Sequence, residues 1–391
     1  MKILIVDYSG HPFQVQLSRE LARRGHDVTH VYSAAFQTPK GNLIRQSDDP
    51  AGFAVVPVNT AAPFAKHTFL RRRQQEIEIG ERIADLIAKL VPDVVISSNA
   101  PLDTQRVLQA AALAHGARFV FWLQDIYSAA ISKVIPRKIP VLGHAIAAWY
   151  RRLEFALLRR SDAVVAITAD FAPLLVARGV AADRIRVIEN WAPINELPRL
   201  ARDNAWAAAH MPADGLRVVY SGTLGYKHNP ALLIEMARRR PDVHVMIFSE
   251  GPVADATAAT AKAEGLANVH VRPWVPFADL PSMLSAADVF VAVIEPEAGV
   301  YSVPSKILTY LAIGRPILAL VPVENLASRL ILRHEAGFAA PAVHAPDLLA
   351  ALDRLVQDAD LRHRLGDSGR AYALQAFDIT AIGDRFAATL G

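Results

Sequence analysis

Short, wholly apolar runs alternating with helical patterns constrain this chain more than any other feature. Ile3–Val6, Val28–Tyr32, Val94–Ser97, Phe119–Leu123, Ala163–Ile167 and Ile185–Ile188 read as strands buried on both faces, the mark of a parallel sheet. The segments between them read as helices, among them Gln14–Arg24, closed by Gly25. Repeated strand–helix units predict an α/β, doubly wound sheet. The pattern breaks at Pro193, Pro198, Arg202-Asp203-Asn204 and Pro212, then restarts. Leu216–Ser221, Val243–Phe248, Val269–Val271, Val289–Ile294 and Ile317–Val321 form the second set of strands.

At 391 residues the chain is too long for one ordinary core. We therefore expect two Rossmann-like domains, 1–195 and 216–377, joined by a linker at 196–215. A final helix, 378–391, can pack back on the first domain. Two such halves are expected to face across a cleft, with functional loops at the C-terminal ends of their strands.

Apolar residues make up 52% and charged residues 20%, a globular balance. There are no cysteines, which excludes disulfides and thiolate metal sites. Met1–Asp7 is too short and too soon polar for a signal peptide, and no apolar run approaches a membrane span. A cytoplasmic location is the expectation.

Pro304-Ser305-Lys306 opens an amphipathic helix that Gly314 closes, with Pro316 leading into the next strand. Ser305 and Lys306 thus stand at a helix N-terminus, where free N–H groups and the positive dipole end attract an anion. Tyr220–Pro230 is a strand, a loop containing Gly222, Thr223, Gly225 and Lys227, and a helix start. Glycines there permit close backbone approach and Lys227 offers charge, although an ordinary turn with an exposed lysine reads equally well. Glu250-Gly251-Pro252 and Arg272-Pro273-Trp274-Val275 follow later strands. They suit a base edge and an aromatic wall, or a proline-rich surface connection with Trp274 in the core. Glu295 and Glu297 suit sugar hydroxyls or a solvated acidic loop. In the first half, Gly10 and His11 follow the first strand, and Asp125 ends another, where it can bind a hydroxyl or cap a turn. Asp358-Ala359-Asp360 mimics a metal signature but reads as a solvated helix end, so no metal site is proposed.

Basic residues cluster at Lys66, Arg71, Arg72 and Arg73, and again at Lys133, Arg137, Lys138, Arg151, Arg152, Arg159 and Arg160. Interleaved with apolar residues, they suit an anionic membrane surface, contacted peripherally at the inner face of the cytoplasmic membrane; a plain solvated face is the alternative. No nucleic-acid motif accompanies them, so no nucleic-acid partner is expected.

Taken together, Ser221–Lys227, Glu250–Pro252, Asp279–Pro281, Ala287–Val289 and Pro304–Pro316 resemble the family-4 retaining glycosyltransferases of the GT-B fold. The closest flavour is the group that builds bacterial capsule, O-antigen or colanic-acid-type polysaccharide. Met1–Gly25, Asp125 and Val187–Asn190 carry the resemblance in the first half. It implies an enzyme of the hexosyltransferase class with a nucleoside-diphosphate sugar donor, UDP rather than GDP, and a glycan or lipid-linked acceptor. No cofactor or metal is implied. Asp125, Lys227 and Lys306 would be catalytic, the two lysines neutralising the diphosphate. Gly10, Gly222, Thr223, Glu250, Arg272, Trp274, Val275, Glu297, Ser305 and Thr309 would line the donor site. Lys66, Arg71, Arg72, Arg73, Arg137 and Lys138 would face the acceptor or membrane. The chain departs from the family where Thr309 replaces an expected Glu, where Tyr301 replaces another, and where Gln124 replaces a His. The competing readings are a GT-B nucleotide-sugar epimerase and a non-catalytic two-lobed binding protein. A dinucleotide oxidoreductase is disfavoured because no Gly-x-Gly-x-x-Gly follows the first strand.

Overall fold

The computed structural model describes all residues except 37–39, 66–67, 99, 141, 226–227, 229, 295–303 and 342–343, together with the side chain at 138. The chain divides into two units, Met1–Asn190 with Ile379–Gly391, and Trp191–Asp378.

Among the described residues, the first unit holds seven strands: β1 (Lys2–Asp7), β2 (Asp27–Ser33), β3 (Phe53–Val58), β4 (Val94–Ser98), β5 (Arg118–Leu123), β6 (Ala163–Ala166) and β7 (Ile185–Val187). They pair in parallel in the order β3-β2-β1-β4-β5-β6-β7. The second holds β8 (Leu216–Ser221), β9 (Val243–Phe248), β10 (Val269–Arg272), β11 (Val289–Val293), β12 (Ile317–Leu320) and β13 (Gly337–Ala340). Their order is β10-β9-β8-β11-β12-β13, again parallel. Each sheet therefore reverses direction once, between β1 and β4 and between β8 and β11. Such switch points open a crevice at the C-terminal ends of the strands.

Every residue of β4, β6, β11 and β12 is buried, which requires cover on both faces. Helices alternate with the strands and supply it. In the first unit the Trp122 indole meets Phe13 edge-on at 5.7 Å and Phe386 at 4.7 Å. Phe386 lies on the terminal helix Ile379–Leu390, which Arg24 also ties down through Asp384 at 2.6 Å.

Residues 196–215, read from sequence as a linker, group with the second unit. Leu200 N–H donates to Ser285 Oγ at 2.9 Å, and Arg202 Nε donates to Asp288 at 2.8 Å. Asn204 caps the short helix Ala205–His210. Two strands escaped the periodicity, β3 and β13. Both are sheet edges: β3 carries Pro57 and leaves its central residues partly exposed, and β13 opens on Gly337. Asp358 accepts from Leu361 N–H at 2.7 Å and so caps the helix Ala359–Ala376. Among the described residues no helix is long and apolar enough to cross a membrane.

Candidate functional site

The site in the second unit is built where β8 ends. Ser221 is its last residue, and the chain then turns through Gly222 at φ 115°, a backbone region that L side chains rarely adopt. Gly222 N–H donates to Phe248 O at 3.1 Å, which holds the turn against the end of β9. A Cβ on Gly222 would stand 3.6 Å from Cε and 3.7 Å from Nζ of Lys306, so backbone and ammonium are immediate neighbours.

Lys306 is the first residue of the helix Lys306–Ile313. Its Nζ lies 3.6 Å from the centroid of the Tyr220 ring, close enough for a cation–π contact. One turn later, the Tyr310 hydroxyl accepts from Ser221 N–H at 2.9 Å and donates to Ser221 O at 3.2 Å. The Tyr310 ring stacks on Phe290 of β11 with centroids 4.0 Å apart. Burial raises the Tyr310 phenol well above its ordinary pKa, so it stays a neutral donor and acceptor. The helix N-terminus is thereby pinned across the β8/β11 switch point. Gly314 ends the helix at φ 76°. Pro304 lies just before the cap residue, Ser305, instead of inside the first turn as expected; its carbonyl accepts from Ile307 N–H at 3.1 Å.

Neighbouring loops are laced to this turn. Leu224 N–H donates to Ser249 Oγ at 2.9 Å, and Ser249 N–H donates to Arg272 O at 2.9 Å. Glu250 accepts from Trp274 N–H at 3.1 Å, so this carboxylate shapes the loop after β10. Gly222 and Lys306 are thus brought together. Thr223, Glu250, Trp274 and Val275 lie on the loops after β8, β9 and β10, Arg272 ends β10, Ser305 is the cap residue of the helix and Thr309 lies within it. Lys227, Glu295, Glu297 and Tyr301 fall outside the described residues.

In the first unit Gly10 stands at φ 79° in the loop after β1. Its N–H donates to Asp7 Oδ1 at 2.9 Å and its carbonyl accepts from Gly41 N–H at 2.8 Å. A Cβ there would come within 3.0 Å of Leu43. The fully buried Asp7 also accepts from Ser9 N–H at 3.2 Å and faces His30 at 3.7 Å. Lys40 Nζ donates to the carbonyls of Ser9, Ser33 and Phe36, and burial lowers its pKa. Sequence reading did not find Asp7 or Lys40, because neither shows a role until the loop has closed on them.

Asp125 follows β5. Gln124 beside it exchanges two amide hydrogen bonds with Asn190, at 2.6 and 3.3 Å. The next helix, Tyr127–Lys138, has its N-terminus held by Glu154, which accepts from Tyr127 N–H at 2.8 Å and Ser128 N–H at 3.0 Å. Burial pushes the Glu154 carboxyl up to about 7; the Asp125 charge adds to this and the Ser128 and Tyr127 hydrogen bonds oppose it. A raised carboxyl favours the folded state while protonated. Its contribution is full below the ordinary carboxylate range and is lost as pH rises through about 7. His30, which burial pulls down to about 4, has the opposite sign: its contribution is lost as pH falls. The Glu154 part is isolated by comparing urea midpoints of wild type and Glu154→Gln at pH values of about 5 and about 8. The variant is expected to lose less stability between them; identical pH dependence would reject the assignment.

Two arginines of the first basic cluster are committed, while Arg151, Arg152, Arg159 and Arg160 of the second are exposed. Arg72 pairs with Glu76 at 2.7 Å, and Arg73 forks onto Asp103 with two contacts of 2.9 Å, where Tyr150 also donates at 2.7 Å. Arg71 and Arg137 are exposed, while Lys66 and the Lys138 side chain lie outside the description.

Residues 11–191 match the glycosyl transferase 4-like domain, and residues 215–358 match the glycosyl transferases group 1 family. The chain belongs to the GT4-type glycosyltransferases. WcaI of Escherichia coli K12, named for colanic acid biosynthesis, is 25% identical over 228 residues, 57% of this chain and 56% of WcaI. The alpha-D-kanosaminyltransferase of Streptomyces kanamyceticus is 25% identical over 176 residues, 44% of each. The chain spans about half the length of the curated relatives it matches. Anabaena HepE, crystallised with UDP and glucose, superposes with a TM-score of 0.75 at 19% identity, covering 100% of this chain and 99% of that one. A UDP-N-acetylglucosamine 2-epimerase structure from Listeria monocytogenes superposes with a TM-score of 0.62 at 13% identity, covering 99% and 95%. The architecture is the two-domain α/β GT-B fold.

Proposed function

We propose that the protein transfers a sugar, with retention, from a nucleoside-diphosphate sugar to a hydroxyl of a glycan or lipid-linked acceptor in polysaccharide synthesis. The observation that carries this reading is the Lys306 ammonium beside the open Gly222 backbone at a helix N-terminus and sheet switch point. Cation and helix dipole together suit a departing diphosphate. UDP is the favoured nucleotide because HepE, which shares the fold, was crystallised with it. The WcaI match favours a surface polysaccharide as product.

In the proposed step, the bond from the anomeric carbon to the phosphate oxygen breaks and its electron pair leaves with the diphosphate. The acceptor hydroxyl oxygen bonds the same face of that carbon, and its proton passes to the leaving phosphate. Lys306, with Lys227 and Ser305, stabilises the leaving charge without a metal, while Asp125 orients the acceptor hydroxyl. Arg272, Trp274 and Val275 hold the base, and Thr309 takes the place of a stronger ribose acceptor. Membrane docking is left out of the proposal.

A thermal-shift panel of UDP-, GDP- and ADP-sugars with EDTA present tests the reading. Stabilisation by UDP-sugars, with UDP release dependent on an added acceptor, is expected. No response across the panel would reject the donor site. Conversion of UDP-N-acetylglucosamine with no acceptor present would identify an epimerase instead.

A further inference from the structure

A cavity of about 580 Å³ opens at the opposite edge of the second sheet. Leu216 begins β8, while Asp242, Asp288 and Pro316 immediately precede β9, β11 and β12, so the cavity lies at the N-terminal ends of the strands. Gly222 and Lys306 lie at the other ends. Arg202, Arg315, Arg362 and His363 line the cavity against two carboxylates, Asp242 and Asp288.

Both carboxylates are already engaged. Asp288 accepts from Arg202 Nε at 2.8 Å, Arg202 Nη2 at 3.0 Å and Arg217 N–H at 2.8 Å. Asp242 accepts two bonds from Arg240, at 2.8 and 2.6 Å. Arg315 donates from Nη2 to Ser285 O at 2.9 Å, but its Nε is buried with no hydrogen-bond partner among the described residues. Arg362 spends Nη1 on the carbonyls of Leu355 and Val356. An orphaned buried guanidinium donor is costly, more so among like charges. Arg199 and Arg217 near the same base are paired with Asp367 and Asp203, whereas Arg370 donates to Ala312 O. Burial and then Arg199 lower Arg315, with Asp288 and Asp367 opposing, and burial and then Arg199 lower Arg370.

We propose that this cavity binds a small phosphate-bearing anion between the Arg315 and Arg362 guanidinium groups. A phosphate supplies three acceptor oxygens to two planar forks, more than a carboxylate can offer. It would offset the positive charge of Arg315 and Arg362, neither of which has a carboxylate partner among the described residues. The volume fits a phosphorylated sugar or a nucleotide rather than a bare ion. The site is independent of the donor-site reading, because no residue is shared.

The test is calorimetric titration of pyrophosphate into the full chain carrying Lys306→Ala, which removes the candidate donor-site cation. Binding is expected to persist and to weaken at least about 10-fold on adding Arg362→Gln, the scale of one charged hydrogen bond. Arg362→Lys, which keeps the charge and loses the fork, is expected to fall between. Arg315→Gln should act likewise; if it fails to fold, Arg362→Gln carries the test, since its side chain is only partly buried. A parallel arm uses vesicles of phosphatidylcholine with and without phosphatidate. Arg362-dependent binding of pyrophosphate identifies a soluble ligand, and Arg362-dependent binding of phosphatidate vesicles alone identifies a lipid headgroup. No binding in either arm, or equal affinity in the Arg362→Gln variant, overturns the site.

Discussion

Lys306→Ala is expected to lower turnover by about 100-fold or more while leaving the fold intact. The lysine opens the helix Lys306–Ile313, and its ammonium sits against the Tyr220 ring beside Gly222. Little of the core depends on it, since Tyr310 holds the helix to Ser221 and stacks on Phe290 without it. What the substitution removes is a preorganised charge at the point where the diphosphate leaves, and losing one such stabiliser costs on the order of 10²–10³ in turnover. Steady-state kinetics with a UDP-sugar, alongside a thermal melt, separates the two effects. Turnover near wild type would remove Lys306 from the chemistry; a collapse of the melting temperature would make its role structural.

Gly366→Val is expected to lose substantial stability. The helix that carries Lys306 ends at Gly314, and Gly366 of the helix Ala359–Ala376 packs directly upon it. A Cβ on Gly366 would fall 2.4 Å from Gly314 O and 3.1 Å from Arg315 Cα, both backbone atoms that no rotamer change can clear. A Cβ on Gly314 would likewise fall 2.9 Å from Arg370 Cβ, so the contact is tight from both sides. Overpacking of this kind costs up to about 3 kcal/mol. For a unit of this size, that is a fall in melting temperature of about 6–12 °C. Differential scanning calorimetry checks it, and a variant melting within about 1 °C of wild type would mean that the two helices separate freely. Because Gly314 closes the Lys306 helix, surviving Gly366→Val protein is also expected to bind the donor more weakly.

These two results probe different layers of legibility. The helix from Lys306 to Gly314 could be read locally, from a basic residue at its start, an apolar face and a terminal glycine. Gly366 gave no local sign, since a glycine inside a helical pattern reads as a mild defect until the partner backbone is in place. Interior strands such as β4 and β11 were visible because both their faces must be apolar. The edge strands β3 and β13 were not, because Pro57 and Gly337 interrupt their partly exposed patterns, whereas the edges β7 and β10 carry no such residue.

The same division runs through the candidate site. Lys306, Ser305, Gly222 and Asp125 each lie at a strand or helix end, and the order of elements along the chain locates such ends. Tyr310 with Ser221, 89 positions apart, and Glu154 with Tyr127, 27 apart, meet only through strand order and helix packing. So do Asp7 with His30 and the arginines at the base of the second sheet. Two parallel α/β halves and the loops that bear charge were legible along the chain, because periodicity and helix caps are properties of neighbouring residues. Which of those charges are committed to partners, as Arg72 and Arg73 are, emerged with the folded chain, since pairing and desolvation depend on residues brought together from far apart.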